Sequence, residues 1–170
     1  MFDPTIFENL KVAFENHIYD LDNLTGEIEI TNRIDRLELA VMSREFILQF
    51  TLADHKEVEA EIVLQASLKD LSAEILEKPG DIPGCSLFVR FHKQVKDVSA
   101  QCKQIEGVLD DIWEQESPVQ TLRFVYGQEK DNYMNEIEIK FNRKINEEQM
   151  GDIPHLVDHV IESLIELESI

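Results

Sequence analysis

Two cysteines, six glycines, five prolines and a single tryptophan are spread over 170 residues, and basic residues are scarce. Each shortage excludes something. Cys85 and Cys102 are too few for a disulfide framework, so the chain must fold on its hydrophobic core. Glycine and proline are too sparse for long flexible linkers, and a chain of this length buries roughly 70% of its unfolded surface. One globular domain over 1–170 is expected, with EKPGDIPGC at 77–85 as the one clear loop and candidate hinge.

The shortage of positive charge excludes more. Thirty-five Asp and Glu face sixteen Lys and Arg, a net charge of −19. Such a chain offers no broad basic face for nucleic acid or for anionic lipid. No apolar run approaches the ~18 residues that span a bilayer. The N-terminal MFDPTIFENLKVAFENH has neither a basic start nor a continuous apolar stretch, so it does not read as a signal peptide. These features predict a cytoplasmic protein with both thiols reduced.

What is present is periodicity. Phe7, Leu10, Phe14, Ile18 and Leu21 recur at helical spacing, with Asp3 and Pro4 as start signals and Phe2 and Phe7 spaced as a hydrophobic staple. That predicts a helix over about 4–20, closed by a polar turn at 20–26. From Gly26 the period becomes two. EIEI, RLELAV, FILQFTL and VEAEIVLQA alternate, predicting three or four antiparallel strands with one wet face. DRLELAVMSRE stays open between strand and a short helix boxed by Asp35 and Glu38.

Ser67 is placed to cap a short helix that turns Leu68, Leu71 and Ile75 inward. CSLFVRFH reads as strand. Val95, Val98, Cys102, Ile105, Leu109 and Ile112 then mark an amphipathic helix of about twenty residues. VQTLRFVYG and YMNEIEIKFNR form a predicted hairpin around QEKDN. Asn146 with Gln149 caps a turn, and a wide apolar stripe follows from Ile153 to Leu167. The fold class is therefore α+β: a mostly antiparallel sheet of six to seven strands with about four helices packed on one side.

DNLTGEIEI at 22–30 and DNYMNEIEI at 131–139 look like copies. The likeness does not extend upstream, where helical KVAFENHI would align with strand-like QTLRFVYG. The pair reads as two strands leaving similar polar turns. Asp20, Asp22 and Gly26 do not fit a calcium loop, because the glycine falls seventh and a threonine twelfth.

Chemistry-bearing motifs are few. Phosphate, dinucleotide and nucleophile-elbow signatures are missing, and no cofactor is expected. Carboxylates are too abundant to single out an acid–base pair. Cys102 falls on an apolar stripe and reads as core; Cys85 would need an activating neighbour to be a nucleophile. HLVDH at 155–159 sets His155 and His159 one turn apart on one helix face, a spacing that fits a divalent metal but equally a solvated polar face. Arg33, Arg36 and Arg44; Arg90, Lys93 and Lys96; and Lys140, Arg143 and Lys144 form groups that either converge on an anion or pair with local acids.

Two function classes follow. The first is a non-enzymatic acidic adaptor, chaperone-like protein or inhibitor that binds a basic protein, with a possible homodimer through the C-terminal apolar stripe. The alternative is a small enzyme whose site is assembled from dispersed residues, with His155 and His159 as its candidate metal ligands.

Overall fold

The apolar stripe of the first helix decides how it sits. In the computed structural model, which describes residues 5–128 and 132–170, α1 runs Thr5–Asp20 and buries Phe7, Leu10, Phe14 and Ile18 completely. The proposed start signals at Phe2, Asp3 and Pro4 lie outside the described residues. The helix does not stop at Asp20. It widens into a π-type turn over Leu21–Thr25, closed by Gly26 at φ 67°, a left-handed conformation that glycine adopts without strain. Asp22 Oδ2 accepts the Ile30 amide and ties the turn to the first strand.

Six antiparallel strands follow: β1 Ile28–Glu38, β2 Ser43–Leu52, β3 Val58–Ala66, β4 Ser86–Val95, β5 Val119–Arg123 and β6 Tyr133–Lys140. Their spatial order is β1-β2-β3-β4-β6-β5. The last hairpin therefore adds its second strand to β4 and leaves β5 at the edge. The tip of that hairpin lies partly outside the described residues. The twin EIEI segments take different places, β1 at one edge and β6 inside the sheet.

The uncertain 35–45 segment is no helix: residues 35–38 end β1, 39–42 form a turn and 43–45 begin β2, so EIEI and the start of RLELAV belong to one strand. A bulge at Thr31 joins them. Before it, Ile28 and Ile30 pair with Leu52 and Phe50; after it, Arg33 and Asp35 pair with Leu48 and Phe46. The extra residue turns Arg33 and Asp35 toward the helix side. There they meet α1. Arg33 Nε donates to Glu15 at 2.5 Å, Lys11 Nζ to Asp35 at 2.9 Å, and Arg44 to Glu8 at 2.8 Å and Asp35 at 3.1 Å. Leu39 and Val41, expected beside Leu37 on a strand face, lie beyond the strand in the exposed turn.

β2 and β3 keep their alternation: Phe46, Leu48, Phe50, Val58, Ala60, Ile62 and Leu64 are all fully buried. α2, Leu68–Leu76, is capped by Ser67 and Asp70, which satisfy each other's backbone amides. Only Leu71 reaches the core; Leu68 and Ile75, expected inward, are exposed. α3 spans Val98–Ile112 and is shorter than its stripe suggests, because Val95 ends β4 and Asp97 caps the helix through the Ala100 amide. Cys102 is accordingly only partly buried. Asn146 and Gln149 box a 3₁₀ turn, and α4 runs Ile153–Glu168. It lies across β2, β3 and β4 between α1 and α3. Ile153, Val157, Val160, Leu164 and Leu167 are buried, while Ile165 faces out.

The 77–84 loop returns to the sheet through Cys85, whose amide and carbonyl pair with Ile145. Gly84 is packed tightly there: a Cβ would meet the Ile145 carbonyl oxygen at 2.8 Å. Gly84→Ala is expected to cost about 1–3 kcal/mol, the usual range for overpacking, read as a lower urea midpoint. Among the described residues no helix is long and apolar enough to cross a membrane.

Candidate functional site

Trp113 organises a large cavity between α3 and α4. α3 ends at Ile112, and the Trp113 amide still reaches the Leu109 carbonyl at 2.8 Å. This turns the indole off the helix end toward α4. Its Nε1 donates to Ser163 Oγ at 2.9 Å, and Ser163 donates onward to the His159 carbonyl at 2.8 Å. Buried polar atoms at this corner are thus satisfied by one another.

Four rings follow across the corner. Phe141 meets Trp113 edge-on at 5.8 Å, Trp113 meets His159 at 5.5 Å, and His159 lies against His155 at 4.3 Å. They border a groove of about 930 Å³ between the end of α3, the 141–145 loop and the first half of α4. Five carboxylates line it: Asp111, Glu114 and Glu116 from the α3 end, Asp152 and Glu162 from α4. Arg143 and Lys144 form the opposite side, but the Lys144 ammonium is engaged with Asp70 and Ser86, at 2.9 and 2.8 Å.

Charge is distributed unevenly over the molecule. Residues 97–116 and 146–170 hold thirteen carboxylates and one lysine, so they carry twelve of the nineteen net negative charges. None of the five groove carboxylates is ion-paired within 4.0 Å among the described residues, and Glu116 Oε2 is buried without a hydrogen-bond partner. Elsewhere among the described residues nine carboxylates, Glu8, Glu15, Glu29, Asp35, Glu45, Glu61, Asp70, Glu136 and Glu138, are ion-paired. Arg33, Arg36, Arg44, Arg90 and Arg123 all bind carboxylates, as does Lys144, whereas Lys93, Lys96, Lys140 and Arg143 have no ion pair within 4.0 Å among the described residues.

The helix-free face of the sheet holds a second polar cluster. Glu61 is buried and accepts from Gln49, His92 lies 3.1 Å away, and Arg90 bridges Glu61 to Glu138. Burial alone would raise the Glu61 carboxyl, but the His92 and Gln49 hydrogen bonds outweigh it and hold it below the usual range. The Glu61 hydrogen bond in turn raises His92 against the opposing effect of burial.

The sequence candidates now have places. His155 and His159 share one face and both border the groove, with His155 exposed and His159 half-buried against Trp113. His159 is therefore not simply on the solvated face opposite the apolar stripe. Among the described residues no three His, Cys, Asp or Glu side chains gather as a ready metal cage. Burial pushes the Cys85 thiol up to about 12, the reverse of what a nucleophile needs. Cys102, partly buried, is raised by burial as well.

Trp113, Phe141 and Glu116 were not singled out from the sequence. The one available signal was that the chain's sole tryptophan lies next to acidic residues on both sides. Compared with models of known protein families, with curated proteins and with solved structures, the chain shows no significant match. Fold and groove define an antiparallel α+β protein with an acidic, ring-walled cleft.

Proposed function

We propose that this is a non-enzymatic acidic interaction protein of the cytoplasm, an adaptor, chaperone-like protein or inhibitor, whose groove receives a basic segment of a partner protein. One observation carries the reading: unpaired carboxylates are concentrated around an aromatic groove, while most arginines elsewhere are neutralised. Arginine or lysine side chains suit such a groove, since their stems lie on ring faces and their charged heads reach the rim. The negative field would speed encounter and make binding salt-dependent. The enzyme alternative draws on the same groove, which two histidines and five carboxylates from separate segments border.

Trp113, the only tryptophan, makes the groove its own reporter. Arginine-rich peptides titrated against its fluorescence are expected to bind at low salt and to weaken steeply as salt rises; acidic peptides of equal length are expected not to bind. Replacing Asp111, Glu114, Glu116 and Glu162 by their amides should cost about 2 kcal/mol of binding, roughly thirtyfold, since exposed pairs contribute about 0.2–1 kcal/mol each. Equal binding by the four-amide variant would sink the reading.

A further inference from the structure

We propose that His155 and His159 form a two-histidine chelate for a late first-row divalent metal: copper(II), nickel(II) or zinc(II). The proposal is independent of any peptide in the groove. Three observations support it. The first is geometry. Residues four apart on a helix rise about 6 Å along its axis. The two imidazoles lean together more closely than that, with centroids 4.3 Å apart and planes at 55°. Two nitrogens that each sit about 2.0–2.1 Å from one ion need rings this near, turned so that one nitrogen of each faces a common point.

The second is positioning. Trp113 packs edge-on against His159 at 5.5 Å, and the buried indole is itself fixed by Ser163. One ligand is therefore held in place while the exposed His155 is free to adjust around an incoming ion. The third is setting. The histidines share the groove with Asp152 and Glu162, neither neutralised by an ion pair, so the local field attracts cations. Imidazole donors select among them for copper, nickel or zinc over calcium and magnesium. With no third donor gathered among the described residues, the remaining coordination positions would go to water or to an incoming ligand.

Copper(II) bound at His159 sits beside the sole indole, so Trp113 fluorescence reads the site directly. Titration of the full chain with copper(II) is expected to quench that emission to saturation at one equivalent, with nickel(II) following more weakly. Excess magnesium should not reverse it. Even partners of metal ligands cost about 10–100-fold in affinity when removed, so losing a ligand should cost no less. H155A and H159F are the variants to compare; the phenylalanine keeps a ring against Trp113 while removing both nitrogens. Zinc(II), which does not itself quench, is expected to compete copper away from the wild type.

Any of three results overturns the proposal: quenching unchanged in both variants, reversal by magnesium, or no copper binding by the wild type. Circular dichroism of each variant confirms that it is folded. Loss of peptide binding in the four-amide variant leaves this test untouched.

Discussion

Trp113→Ala is expected to lower the unfolding free energy by about 3–5 kcal/mol, the range for deleting a large buried aromatic side chain. That is a large share of the ~5–15 kcal/mol that holds a domain folded. The indole is almost fully buried, fills the corner between α3 and α4, and is flanked by Phe141 and His159. Trp113→Phe keeps most of this volume. It gives up the bond to Ser163, whose hydroxyl still donates to the His159 carbonyl, so about 1–2 kcal/mol is expected. Urea melts followed by circular dichroism check both, because the fluorescence leaves with the residue. Equal losses in the two variants would mean that the hydrogen bond, not the packing, holds the corner.

Stability is expected to peak between about pH 4.5 and 6.5 and to fall on both sides. The acid limb comes from Glu8, Asp35, Glu61 and Asp70. Burial works to raise each carboxyl, but Lys11 and Arg44, His92 and Gln49, and Ser67 with Lys144 outweigh it and hold all four low. A group lowered on folding stabilises above its unfolded value, about 4, and that contribution disappears as pH falls through the folded value. His92 runs the other way. Raised by Glu61, it contributes fully below its unfolded value, about 6.5, and the contribution is lost as pH rises through the folded one. The excess of acidic over basic residues adds self-repulsion across the neutral range, which salt relieves. Thermal melts from pH 3 to 9 at two salt concentrations check the profile. In His92→Gln the decline above pH 6.5 should flatten; a wild-type decline left intact would remove the pair from the explanation.

Local signals were legible wherever one periodic face meets one core. The α1 stripe, the β2 and β3 alternation and both reciprocal caps are where their residues say they should be. What sequence did not disclose is set by pairing at a distance. The bulge at Thr31 depends on β1 lying against β2 with α1 above it, and nothing in TNRIDR marks it. Leu68 and Ile75 have core-like spacing, but α2 is too short and too near the sheet's end to be covered on that side. β6 displaces β5 from β4 by a choice of neighbour that alternation cannot encode. The groove was invisible for the same reason. His155 and His159 are four apart and were noticed, whereas Trp113 and Phe141 reach them from segments tens of residues away.

α4 is the last element along the chain and also the one that lies over the middle of the sheet. Ribosomes deliver polypeptide from the N-terminus at about 5–20 residues per second. β3 ends at Ala66 and α4 begins at Ile153, so roughly 5–20 s separate their emergence. Throughout that interval Phe50 and Ile62, and Phe91 once it emerges, lack the helix that completes their core. The newborn chain must survive as an unroofed sheet, and residues 1–152, with thirty-one acids against sixteen bases, already carry fifteen of the nineteen net negative charges that keep neighbouring nascent copies apart.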